Sequence, residues 1–118
     1  MSKIVILATL LALWSCGLGD MCGNEIVKEV YSPGKKVKAI VFKRDCGATT
    51  GTSNHLSILN ADMALENQGG NTFVVDEGEI INIYWENDRQ LIVYHDSLAR
   101  TFEMKGSLED ISVEYRIR

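Results

Sequence analysis

Ile111-Ser112-Val113-Glu114-Tyr115-Arg116-Ile117-Arg118 alternates apolar and polar residues without a break. Successive side chains of a β-strand point to opposite faces. The spacing therefore predicts a strand with Ile111, Val113, Tyr115 and Ile117 on a core and Ser112, Glu114, Arg116 and Arg118 in water. Working back along the chain, Arg100–Met104 is a weaker strand. Ile80–Trp85 and Leu91–His95 read as a hairpin across Glu86–Gln90, with Trp85 and Tyr94 assigned to the core. Thr72–Val75 is a short strand before the turn at Asp76-Glu77-Gly78, and His55–Leu59 is another strand after a polar loop at Asp45–Asn54.

Nearer the N-terminus, Glu25–Tyr31 and Val37–Arg44 flank Ser32-Pro33-Gly34-Lys35. Pro at the second position and Gly at the third are the signature of a type II turn, so the two runs form a hairpin. Ala39-Ile40-Val41-Phe42 is apolar on both faces, which predicts a central strand covered on both sides. Asn60–Asn67 is the one helical turn expected, with Asn60 as its cap. About seven or eight short strands with one helical turn define an all-β domain, a small antiparallel sheet or sandwich.

The first residues carry a different signal. Met1-Ser2-Lys3 precedes an unbroken apolar run from Ile4 to Trp14. A membrane-spanning helix needs roughly 20 apolar residues, and this run is about half that. A basic start, an apolar stretch and then small residues are the layout of a signal peptide. Leu13-Trp14-Ser15-Cys16 resembles a bacterial lipobox, in which the Cys thiol takes a diacylglycerol and becomes the first mature residue. Trp14 departs from the usual small or polar residue at its place. Gly17-Leu18-Gly19 offers an ordinary signal-peptidase site instead. The organisation expected is a signal peptide over 1–15, a lipidated tether over 16–24 and a single β domain over 25–118. Two or three acyl chains hold a protein stably at a membrane, where one does not.

The cysteines fit that division. There are three, Cys16, Cys22 and Cys46, and an odd number in an exported protein asks for an explanation. Lipidation of Cys16 leaves a pair that oxidises outside the cytoplasm. Cys22 precedes the first strand of the N-terminal hairpin and Cys46 follows the second, so the turn at Ser32–Lys35 brings them together.

The chain has 118 residues, 46% of them hydrophobic, and a formal charge of −4. That is enough apolar material for one core and not for two. Removing Lys3 with the leader leaves 11 basic residues against 16 acidic ones. Phosphate contacts need clustered Lys and Arg, so nucleic acid is not an expected partner. Lys28, Lys35, Lys36, Lys38, Lys43 and Arg44 make the first third basic, which reads as a solvated strand face. The expected partners are the membrane, through the N-terminal lipid, and an envelope protein.

No named chemistry emerges. His55 and His95 are far apart and lack the spacing of metal ligands, and Asp76, Glu77 and Glu79 fit no calcium loop. Neither a metal nor a cofactor is expected. Cys46 with His55 downstream has the residue types of a thiol nucleophile and its base, but a bridged sulfur is no nucleophile. No catalytic residue is assigned. The segment richest in recognition chemistry is the loop after the second strand, with Arg44, Asp45, Thr49, Thr50, Ser53 and His55 as candidate binding residues. A structural or binding module at the bacterial envelope, an inhibitor or immunity-type factor, and a hydrolase using that Thr- and Ser-rich loop are the readings open.

Glu29–Lys35, Lys38–Phe42 and Arg44-Asp45-Cys46-Gly47-Ala48-Thr49-Thr50-Gly51 resemble a family of small bacterial exported proteins of unknown function. Members show a Ser-Pro-Asp-Gly-Lys turn, an apolar strand and an Arg-Asp-Cys-Gly-Ala-Thr-Thr-Gly block. This chain lacks the Asp of the turn. The likeness covers Cys22 to Leu59 and brings no activity with it. Ser32–Phe42 and Trp85–Tyr94 also resemble single blades of periplasmic β-propellers. Two such units fall short of the roughly four blades a closed propeller needs.

Overall fold

The computed structural model describes residues 22–47, 51–76, 78, 81–96 and 100–118. The expected signal peptide, Cys16, Thr49, Thr50, Glu77 and Glu79 lie outside them. Nine strands follow in order: β1 (Gly23–Tyr31), β2 (Val37–Asp45), β3 (Thr52–Asn60), β4 (Phe73–Asp76), β5 (Asn82–Asn87), β6 (Gln90–His95), β7 (Thr101–Met104), β8 (Ser107–Leu108) and β9 (Ile111–Ile117). They make a five-stranded sheet in the order β1-β2-β3-β4-β7 and a four-stranded sheet in the order β5-β6-β9-β8. The all-β class is as expected.

The two sheets share one core. Ala39, Val41, Leu56, Ile58, Phe73 and Val75 from the first sheet meet Trp85, Leu91, Val93, Ile111 and Val113 from the second. Trp85 Nε1 donates to the Val30 carbonyl (3.0 Å), so the indole satisfies its one polar atom by tying the sheets together. Phe73, His95 and Tyr115 pack their rings at 5.1–6.0 Å in tilted and edge-on pairs. Burial pushes the Tyr115 phenol up to about 12, with the Glu103 carboxylate adding to the shift. Its hydroxyl donates to the Lys105 carbonyl (2.6 Å).

Several local expectations change. The first strand begins at Gly23 rather than Glu25, because Gly23 and Asn24 already pair with Asp45 and Arg44 in β1–β2. The polar loop is shorter than Asp45–Asn54, because Thr52, Ser53 and Asn54 continue the ladder opposite Asp45, Arg44 and Lys43. Pairing is not antiparallel throughout. The chain leaves β6, crosses to the first sheet as β7 and returns through the two-residue β8, so β9 runs parallel to β6. In β9, Ile111 and Val113 are buried and Tyr115 is half-buried, but Ile117 is 64% exposed because the core ends before it. Tyr94 points to the outer face, where Arg116 Nη1 donates to its hydroxyl.

The first turn is not type II. Lys35 N–H donates to the Ser32 carbonyl (2.8 Å), but Lys35 and not Gly34 takes the left-handed conformation (φ 58°). Gly34 is instead the point where a distant carboxylate docks on this turn. Its N–H donates to Asp88 Oδ1 (2.6 Å) at the β5–β6 turn, and a Cβ there would meet Asp88 Oδ2 at 2.5 Å. The Gly34 amide, then the Ser32 hydroxyl, hold the Asp88 carboxyl below its usual range. A carboxylate from a distant turn thus serves the turn that lacks its own Asp.

The largest departure is the segment 61–71. It forms no helix; among the described residues there is none. Met63 N–H closes one turn on the Asn60 carbonyl (3.0 Å), and the chain then runs as a strap over the outer face of β1–β3. Its carbonyls and amides are taken by side chains of the sheet. A lone helix of this length is marginal in water, so those tertiary bonds win.

Candidate functional site

Strand alternation puts Asn24, Arg44, Phe42, Ile40, Ser53, His55 and Ser57 on the outer face of the first sheet, under or beside the strap. Cys22 and Cys46 close the end of this hairpin. Their sulfurs are bonded at 2.05 Å with the Cα atoms 3.9 Å apart. This is the pairing the hairpin predicts. The chain turns back at once, with Gly47 N–H donating to Asp45 Oδ1 (2.9 Å) and Gly51 N–H to the Gly47 carbonyl (3.0 Å). Both glycines have positive φ (108° and 73°), a conformation L side chains rarely adopt.

The candidate loop residues do not converge on one another. Arg44, Ser53 and His55 share the outer face, while Asp45 turns away to cap Gly47. Arg44 Nη1 donates to Asn24 Oδ1 (2.8 Å) and to Asn67 Oδ1 (3.0 Å). Asn24 Nδ2 donates in turn to the carbonyls of Glu66 (3.2 Å) and Gln68 (3.0 Å), and Asn67 Nδ2 to that of Cys22 (3.0 Å). Further along, Asn71 pairs with both the amide and the carbonyl of Ile58 (2.9 Å each). Sequence reading missed Asn24, Asn67 and Asn71. The only signal available was residue type, since Asn carries a donor and an acceptor that match free backbone groups.

His55 is the most constrained titratable group. Its ring stacks on Phe42 (centroids 5.2 Å apart) and it is buried. Burial, and then the Arg44 charge, bring its pKa down to about 4, so the imidazole is neutral at neutral pH. Gly70 N–H donates to Nδ1 (2.8 Å), which must therefore be the unprotonated nitrogen. The proton sits on Nε2 and is donated to Ser53 Oγ, 2.7 Å away. A general base for Ser53 would need the opposite tautomer. The pair is built as a structural bond, and the bridged Cys46 offers no thiolate.

Between the strap and the edge strand β1 lies an open groove of about 390 Å3, lined by Asn24, Ile26, Glu29, Lys38, Leu65 and Glu66. Lys38 was expected on a solvated face but is buried. Its ammonium lies 3.5 Å from Glu29 and over the Tyr31 ring. Among the described residues, no three His, Cys, Asp or Glu side chains gather to hold a metal ion. No family model, curated protein or solved structure matches the chain.

Proposed function

We propose that this chain is an exported, lipid-anchored β-sandwich that works as a non-catalytic binding or structural module at the bacterial cell envelope. The observation that carries the reading is the Cys22–Cys46 bridge. A bridge is compatible with an oxidising compartment. It also accounts for two of the three cysteines, and the third, Cys16, follows directly on the apolar run and Ser15. The likeness of Arg44–Gly51 to small exported proteins points the same way. The neutral His55, donating to rather than deprotonating Ser53, favours a binding role over a hydrolytic one.

The test is Cys16→Ser in the native bacterium, with fractionation and palmitate labelling. The wild-type protein stays with membranes and takes up label. The variant loses the label and appears in the soluble fraction. Unchanged membrane association of Cys16→Ser would defeat the anchor.

A further inference from the structure

The middle of the strap is gripped from one place. Cys22, Asn24 and Arg44, which hold residues 66–68, all lie within two positions of a bridged cysteine. Arg44 also holds Asn24, so the grip is a single connected unit. β1 is an edge strand, and Gly23↔Asp45 and Asn24↔Arg44 are its last pairs. Strand ends at a sheet edge open at low cost. The covalent link lies just beyond these pairs, next to the Cys22 carbonyl and two residues from both Asn24 and Arg44.

We infer that the Cys22–Cys46 disulfide is the latch of the strap: oxidised, it keeps residues 62–69 closed over the outer face of β2 and β3; reduced, it lets them lift while the sandwich stays folded. Three observations converge on this. First, the ends of the strap are pinned elsewhere, by Ala61 N–H on the Lys36 carbonyl (3.0 Å) and by the Asn71–Ile58 pair, so opening is confined to the middle. Second, residues 62–64 and 66–69 are exposed even in the closed form, so release gives up little burial. Third, the core between the sheets is made by residues outside the strap, together with the Trp85–Val30 bond, and does not need the strap in place.

Both cysteines are half-exposed, so a reductant reaches them. A dithiol would supply two electrons and two protons, leaving as its own disulfide, with the protons ending on Cys22 Sγ and Cys46 Sγ. Release uncovers the His55 ring, against which Gly69 and Gly70 pack, on the same face as Ile26, which is already half-exposed. If oxidation accompanies export, the strap closes only outside the cytoplasm, but the coupling does not depend on that.

The experiment compares the oxidised protein with the same protein reduced by a phosphine, by amide hydrogen exchange and by NMR titration of the His55 ring. Reduction should speed exchange across 62–70, Gly70 included, at least tenfold, and leave the Ala61 amide unchanged. It should move the His55 titration from about 4 toward its ordinary value of 6.5, and leave the amides of Leu91, Ile92 and Val93 unchanged. Asn24→Ala with the bridge intact should loosen the same segment. Unchanged exchange of 62–70 on reduction, or in Asn24→Ala, would overturn the latch. Equal loss of protection in Leu91–Val93 would overturn it too, because the bridge would then hold the whole sandwich.

Discussion

The outer faces of the two sheets are built on central strands of similar apolar content and end in different states. On the first sheet, Ile40 and Phe42 are buried on the outer face beside His55, against which the strap packs Gly69 and Gly70. On the second, Tyr84, Tyr94, Glu114 and Arg116 surround Ile92, and no described segment crosses them. Ile92 is still only 1% exposed. Its neighbours close over it, with Arg116 bonded to Glu114 and Tyr94, and Gln90 to Glu114. Those bonds keep the Arg116 guanidinium above its usual pKa, Glu114 contributing most. A strand that alternates needs one apolar cover and dresses its other face with its own polar side chains. Ile92 is one outward apolar side chain, which polar neighbours can close over; Ile40 and Phe42 are two on one strand, and there the chain folds a loop back on asparagine and arginine bonds.

The strongest way to break this comparison is to charge what both sheets share. Val113→Asp puts an unpaired carboxylate between them, at a cost of at least about 3–5 kcal/mol. The variant should show no cooperative urea transition and no near-ultraviolet circular dichroism. A folded Val113→Asp protein would mean that the inward face of β9 is misassigned.

The two outer faces are then separated by a matched pair. Phe42→Ala empties a site closed by the strap and should cost about 3–5 kcal/mol in urea unfolding. Tyr84→Ala removes a side chain of a residue 58% exposed and should cost about 0.5–1 kcal/mol. Equal losses would show that both faces are equally covered in solution.

Mild acid, above the range where Asp88 and the other carboxylates titrate, should act on the covered face. The folded His55 titrates at about 4 and the unfolded one at 6.5. The unfolded chain therefore takes up the proton first as pH falls. The contribution of neutral His55 is complete above pH 6.5, is lost as pH falls toward 4 and changes no further below that. The span corresponds to roughly 2–4 kcal/mol. His55→Gln should flatten the stability profile between pH 6.5 and 5, above the range where ordinary carboxylates titrate. An unchanged slope would place the sensitivity elsewhere.

The smallest effect sharpens the chemistry of the same face. Ser53→Ala removes one acceptor from His55 Nε2 and should cost about 0.5–1.5 kcal/mol. Because Ser53 is not deprotonated by His55, a fluorophosphonate should leave it unlabelled. Labelling that disappears in Ser53→Ala would reverse the tautomer and reopen a hydrolytic role.

What was legible in the sequence is local periodicity. Ala39–Phe42 announced a strand covered twice, and Ile111–Tyr115 a strand covered once. The Cys22–Cys46 pair followed from hairpin geometry. The identity of the second cover was hidden because it depends on partners distant in sequence. Asn24 reaches 42 and 44 residues along the chain to Glu66 and Gln68, and no period reports that. For the same reason the helix-forming composition of Ala61–Glu66 misled. Ile117 continues the alternation of β9 past the end of the core, a boundary set by the facing sheet. Lys38 reads as a surface cation, and only Glu29 and Tyr31 on the neighbouring strand make its burial tolerable.

The most direct test of the whole account is the state of the three cysteines in protein taken from native membranes. The protein is denatured without reductant, alkylated and weighed intact. The account predicts no alkylation at all: Cys22 and Cys46 are joined, a bridge worth about 3–4 kcal/mol in the chain-entropy model, and Cys16 is the first residue and carries the added mass of its lipid. Two alkylated thiols, at Cys22 and Cys46, would contradict the bridge, the latch and the oxidising address together.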